Sequence, residues 1–213
     1  MGRGRFIVLE GIEGAGKSTQ LKFIQQLLQS TEKNVIVTRE PGGTFLGEQI
    51  RELLLSPRLE GMSADTELLL MFAARVEHVQ QVIFPALAAG KWVLCDRFTS
   101  ASYAYQGGGR ELPLSRIAKL ESWALNCLRP DLILLFDVPV RLGLQRATTR
   151  CQQLDRFEQE KIDFFDRART IYLSLAKKYP DQYRLIDSSL PLTRVQEAIQ
   201  KVIMAFLEEN RDA

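Results

Sequence analysis

Short apolar runs recur along this chain, separated by segments with a different period. FIVLE (6–10), NVIVT (34–38), KWVLC (91–95), DLILLFD (131–137) and RLID (184–187) are dense in Val, Ile and Leu. Continuous runs of that kind predict strands buried on both faces. Between them the spacing is helical. Leu21, Ile24, Leu27 and Leu28 share one face of a helix, and the Leu-, Met-, Ala- and Val-rich stretch from about Asp65 to Leu87 predicts a long one. Asp65 is suited to cap that helix, with Glu67 in its first turn. LSRIAKLESWALNCL (114–128) and VQEAIQKVIMAFLEE (195–209) are further amphipathic candidates, and Pro139 suits the start of another helix. Strands alternating with helices predict an α/β fold, a parallel sheet covered on both sides. There is no repeat, linker or shift in composition, so residues 1–213 read as a single domain. Polar or glycine-rich loops at 41–43, 97–110 and 148–158 mostly follow strands, on the side where open α/β sheets bind ligands.

One loop changes the picture most. Between the first strand and the first helix lies GIEGAGKS, which fits G-x-x-x-x-G-K-[ST] with Gly11, Gly16, Lys17 and Ser18. Glycines weaken a strand-to-helix turn unless backbone geometry or a ligand requires them. With side chains absent, consecutive N–H groups from Gly11 through Ile12, Glu13, Gly14, Ala15 and Gly16 to Thr19 can curl around phosphate oxygens at a helix N-terminus. Lys17, expected as a solvated loop lysine, reaches the β- and γ-phosphates of a nucleoside triphosphate, and Ser18 offers its hydroxyl to Mg²⁺.

Composition adds boundaries. Hydrophobic residues make up 46% and charged residues 25%, ordinary for a globular protein, and the formal net charge of +2 gives no case for a nucleic-acid partner. Three dispersed cysteines, Cys95, Cys127 and Cys151, form neither a disulfide framework nor a zinc spacing. The N-terminal MGRGRFIVLEG is too short an apolar run for a leader or a membrane span, so a cytoplasmic protein with no membrane partner is expected.

The fate of the γ-phosphate is a separate question. The D-x-x-G and N-K-x-D patterns of a GTPase are missing. A kinase needs cations for a second set of phosphates. Arg39, in TREPGGT, and Arg97, in CDRFTSASYAYQGGGR, both follow strands on the loop side of the sheet. Asp96, just before Arg97, suits the water shell of Mg²⁺. Arg75 lies in LMFAARVEHV on the long helix.

EGIEGAGKST, TREPGGT, FAAR, DRFTSASYAYQGGGR and LDRFEQE, in this order, resemble bacterial thymidylate kinases over essentially the whole chain. The resemblance implies a five-stranded parallel sheet of the P-loop NTPase type with a mobile lid at about 148–158. It implies transfer from ATP, with Mg²⁺, to dTMP, and a homodimer. It also implies residue roles: Arg97 clamps the dTMP phosphate with help from Arg39, and Tyr105 and Gln106 contact sugar and base. Tyr105 crowds the place of a 2′-hydroxyl, Glu13 lies near the 3′-hydroxyl, and Arg75 bonds thymine O4. The family's usual base-stacking Phe, four residues before that arginine, is Met71 here. Phe72, three before, is the other candidate, since both spacings share a helix face. The sole histidine, His78, is expected on the polar side of the helix with no chemistry. In the family branch whose P-loop lacks an arginine, the lid supplies one. Glu13–Gly14 marks that branch, and among Arg146, Arg150 and Arg156 the alignment favours Arg150, with Arg156 as substitute.

A phosphate monoester acceptor has a second pKa of about 6 and needs no general base at neutral pH. Catalysis then rests on positioning and charge stabilisation in a direct in-line transfer. Two rivals remain distinguishable. A deoxynucleoside kinase would leave Arg97 and Arg39 idle, and a regulatory or DNA-associated ATPase calls for a basic stripe and a water-positioning residue that the sequence does not display.

Overall fold

The computed structural model describes residues 3–59, 61–150 and 155–210. Five parallel strands, β1 (Phe6–Glu10), β2 (Val35–Arg39), β3 (Trp92–Asp96), β4 (Leu132–Asp137) and β5 (Tyr183–Asp187), lie within one residue of the runs predicted by pattern. Their spatial order is β2-β3-β1-β4-β5. β1 pairs with both β3 and β4, Leu9 facing Asp96 and Glu10 facing Leu135. Its five residues are all buried, which is what a central parallel strand requires and why FIVLE does not alternate.

The helices are α1 (Lys17–Ser30), α2 (Phe45–Leu55), α3 (Ala64–His78), α4 (Phe84–Ala88), α5 (Thr99–Ser102), α6 (Leu114–Ala124), α7 (Val140–Arg150), α8 (Ile162–Lys178) and α9 (Leu192–Glu209). The buried side of α1 is Gln20, Ile24 and Leu28, matching the face read from sequence. Three expectations need correcting, and one helix adds to the predicted set. The long helix begins one residue earlier, capped by Ser63, whose Oγ accepts the Thr66 N–H; Asp65 pairs instead with Arg116. It also widens to a π-helical turn at Val79–Ile83 before α4 begins at Phe84, with Pro85 in its first turn. The segment 97–110, read as a loop, is helical from Thr99 to Gly109. It is held from α8 by Arg167, whose guanidinium donates to the carbonyls of Gly108 and Gly109. The apolar face of α8 itself, carried by Phe164, Phe165, Ala168 and Tyr172, has no clear sequence pattern because charged residues surround it.

β1 sits where the chain reverses direction across the sheet, with β3 on one side and β4 on the other. Loops from its end and from β3 therefore diverge over one crevice, the usual ligand position in such sheets.

Candidate functional site

The loop after β1 is shaped by glycines at two points. Gly14 has φ 69°, and a Cβ there would fall 1.8 Å from the carbonyl oxygen of Gly143 in α7, so no side chain fits. Gly16, the N-cap of α1, has φ 84° and opens onto free space. No side chain caps α1, so no capping group takes the N–H donors of its first residues.

Glu13 to Thr19 line a cleft of about 280 Å³; Gly11 and Ile12, expected with them, are buried and do not line it. Lys17 is not the solvated loop lysine expected from sequence. It is 8% exposed, and its Nζ donates to the carbonyls of Gly11 at 2.8 Å and Ile12 at 3.1 Å. Burial, reinforced by the Arg97 cation and only partly offset by Asp96, Glu13 and Glu10, brings its pKa down to about 8.

Asp96 and Arg97 leave the end of β3 into the same cleft. Arg97 has φ 71°, a left-handed conformation uncommon without glycine. Its guanidinium donates to Glu13 Oε1 at 2.8 Å and to the Tyr172 hydroxyl at 3.3 Å, and lies 4.8 Å over the Tyr105 ring. With five N–H donors in all, the guanidinium keeps others for an incoming phosphate. Tyr105 donates to Glu13 Oε2 at 2.5 Å, so one carboxylate joins the P-loop to both residues. Gln106 is buried in the same wall, its amide nitrogen held by Glu67 at 2.7 Å.

Arg75 also lines the cleft, held on three sides. Its Nε donates to Glu40 at 2.5 Å, Nη1 to the Ser102 hydroxyl at 3.0 Å, and Nη2 to the Phe98 carbonyl at 3.1 Å. Glu40, next to the cis Pro41, also contacts His78 Nδ1 at 3.0 Å, whose Nε2 lies 2.6 Å from Thr38 Oγ1. His78 is therefore fully buried and clamped, not on a polar side.

Three further expectations change. Met71 lines the cleft one helical turn before Arg75, whereas Phe72 is buried beneath the Arg75 guanidinium, 4.8 Å away. A turn of 3.6 residues favours the i−4 position for a shared face, so Met71 and not Phe72 faces the cleft beside Arg75. Arg39 does not line the cleft; its side chain is 55% exposed and paired with Glu48. Arg51, from α2, stands in its stead, donating to the Pro41 carbonyl at 2.9 Å. Its own burial, together with the cations of Arg39 and Arg97, lowers its pKa. Arg156 is buried too: Nε donates to the Leu54 carbonyl at 2.9 Å and Nη1 pairs with Glu67 Oε2 at 2.7 Å. It does not line the cleft, although its neighbours Asp155, Phe157 and Glu158 do. Fully buried Glu67 thus gathers Gln106, Arg110 and Arg156 on one carboxylate. Arg146, on α7, donates to the Ser188 carbonyl at 2.8 Å. α7 ends at Arg150, whose side chain lies outside the described residues, as do Cys151 and the rest of 151–154.

One feature of the cleft invites a cation. Asp96 Oδ1 is buried and has no hydrogen-bond partner, and the exposed Ser18 lines the same wall. A carboxylate oxygen without a donor beside a triphosphate-type loop fits Mg²⁺ with part of its water shell.

Comparison with known proteins agrees with this geometry. A family model described as thymidylate kinase matches residues 9–199. The thymidylate kinase of Pseudomonas syringae pv. tomato is 57% identical over 208 residues, 98% of this chain and 99% of its own. That of Pseudomonas entomophila is 56% identical over the same length and coverage. The crystal structure of thymidylate kinase from Ehrlichia chaffeensis superposes with a TM-score of 0.78 at 32% identity, covering 95% of this chain and 99% of that one.

Proposed function

The chain belongs to the thymidylate kinase family and transfers a phosphoryl group from ATP to dTMP, giving dTDP for dTTP synthesis; from that premise we propose how its cleft carries out the transfer. ATP lies with its phosphates over Gly14–Thr19, the γ-phosphate against Lys17. The dTMP phosphate meets Arg97, with Arg51 adding positive charge from α2. Thymine rests on Met71 with O4 toward Arg75, whose two remaining N–H groups are free to donate. Glu13 and Tyr105 border the sugar, Tyr105 where a 2′-hydroxyl would come, and Gln106 stays fixed through Glu67.

The single observation carrying this reading is the convergence of Lys17 and Arg97 from two loops onto one cleft. In-line transfer needs cations at donor and acceptor phosphates together. The acceptor oxygen is already deprotonated at neutral pH, so no side chain has to remove a proton. Asp96 and Ser18 would hold Mg²⁺, which would supply positive charge to the triphosphate at this wall of the cleft. Glu13–Gly14 leaves the P-loop without a guanidinium, and Arg150 at the end of α7 supplies that charge from the lid. Buried Arg156 anchors the lid's far side to Glu67.

We further propose that the chain acts as one domain, as a homodimer, in the cytoplasm. Exposed Phe45 and Leu53 on α2, Leu69 on the adjoining α3 and Trp123 on α6 support a self-association face. The free thiol of Cys127 suits a reducing compartment. No helix among the described residues is long and apolar enough to cross a membrane.

The test is an ADP-release assay across dTMP, dUMP, dCMP, dGMP, ribothymidine monophosphate and thymidine. Preference for dTMP, with thymidine inert, is expected. Turnover of thymidine comparable to that of dTMP would overturn the acceptor-phosphate assignment.

A further inference from the structure

The last residue of β1, Glu10, is a fully buried carboxylate that the transfer itself does not use. Both its oxygens are committed. Oε1 accepts the backbone N–H of Phe98 at 2.8 Å, and Oε2 accepts the hydroxyl of Tyr172, on α8, at 2.7 Å. The same Tyr172 oxygen accepts from Arg97 Nη1 at 3.3 Å. Glu10 therefore holds Arg97 from two directions, through the peptide that follows it and through the tip of its guanidinium.

That double hold answers a difficulty. Arg97 occupies the left-handed region at φ 71°, a conformation that costs a non-glycine residue free energy and persists only where its surroundings impose it. Glycine would relieve the strain and remove the side chain. The surroundings impose the turn instead: the Arg97 N–H donates to the Leu9 carbonyl at 2.9 Å, and the next N–H, that of Phe98, donates to Glu10. Burial opposes such a carboxylate, pushing its pKa up to about 7 despite the Arg97 cation and the Tyr172 and Phe98 hydrogen bonds. An apolar residue would suit the strand better if packing were its only task.

We propose that Glu10 is a positioning residue for the acceptor site, acting with Tyr172 to fix the backbone turn and guanidinium direction of Arg97 toward the dTMP phosphate. It rests on the reading of Arg97 given above and adds the two residues that aim it. Glu13 grips the same guanidinium from the cleft side, but it lies where the acceptor binds and can yield to it. Glu10 and Tyr172 lie behind and stay in place when the cleft fills.

The test uses Glu10→Gln, which keeps shape but cannot accept at both ends as a carboxylate does, and Tyr172→Phe, which cuts the chain at its middle. Steady-state constants and melting temperatures are measured for both, for the double variant and for Arg97→Ala. Each single variant should raise KM for dTMP about 5- to 10-fold, as for one network hydrogen bond. KM for ATP and kcat should stay within about two-fold. The double variant should be no worse than the poorer single, because both interrupt one chain. A purely structural role predicts lowered melting temperatures with both KM values unchanged, and that result overturns the proposal. So do equal rises for ATP and dTMP, or effects that multiply. If Arg97→Ala leaves KM for dTMP unchanged, the acceptor reading fails and the proposal with it. If Arg97→Ala raises it while neither single variant does, the positioning role alone fails.

Discussion

Replacing Lys17 by methionine should stabilise the ligand-free protein while abolishing its activity. The side chain is 8% exposed, and burial with the nearby Arg97 cation brings its pKa to about 8 from an ordinary 10.5. A difference of about 2.5 units, at about 1.36 kcal/mol each, means the fold disfavours the charged lysine by about 3 kcal/mol at neutral pH. Methionine matches the stem and carries no charge. It also gives up the bonds to the Gly11 and Ile12 carbonyls, worth about 1 kcal/mol each net. The balance is about +1 kcal/mol, or about 2–4 °C in Tm for a chain of this size. pH supplies a second handle. The unfolded chain keeps the lysine proton to about 10.5 and the folded chain releases it near 8, so between these values the unfolded state binds more protons. Wild-type stability from this group therefore rises with pH across that window, and the advantage of Lys17→Met is full below about 8 and shrinks above it. Parallel melts at pH 7 and pH 9.5, each variant against wild type, read this directly. A variant melting several degrees below wild type at pH 7, or a gap that widens with pH, would refute the reasoning.

Other substitutions separate the remaining roles. Arg150→Ala should lower kcat by about 10²-fold or more with little change in KM for ATP, as for a contact made mainly in the transition state; near wild-type kcat means the lid charge comes from elsewhere. Arg156→Ala should act on stability instead, since it removes a buried partner of Glu67 and leaves that carboxylate with Arg110 and Gln106. A Tm drop of several degrees with kcat within a few-fold is expected in thermal melts beside kinetics, and a large kcat loss at unchanged Tm would return Arg156 to the chemistry. Tyr105→Ala should admit ribothymidine monophosphate better relative to dTMP, and Tyr105→Phe only slightly; competition assays with the two acceptors check it.

What the sequence disclosed and what it withheld differ in range. The P-loop is contiguous, and its strand and helix flank it within a few residues, so local pattern alone marks it. β2 and β5 lie at the sheet edges, exposed at Val37 and Leu185 rather than buried on both faces, and only their Val-, Ile- and Leu-rich runs mark them. β1, β3 and β4 are legible because a central parallel strand must be apolar along its whole length. Asp96 and Arg97 are legible for the same reason, as the first polar residues after such a strand. Glu40, Glu67 and Glu10 are different. Their meaning lies in partners 35, 39 and 162 residues away, and a lone glutamate in a sequence gives no sign that it is buried. Arg51 lines the cleft and Arg39 does not, because which side chain at the end of β2 and on α2 reaches it depends on how α2 packs. Met71 and Phe72 are adjacent, and only the rotation of α3 against the cleft distinguishes a residue that lines it from one that lies beneath Arg75.

The assignment of the two phosphate sites is tested most directly by steady-state kinetics on Arg97→Ala, varying dTMP and ATP in turn. Loss of a charge-assisted hydrogen bond to the acceptor phosphate should raise KM for dTMP by about 10- to 100-fold while KM for ATP moves less than about three-fold. A rise confined to ATP, with dTMP unchanged, would contradict it and exchange the donor and acceptor sides of the cleft.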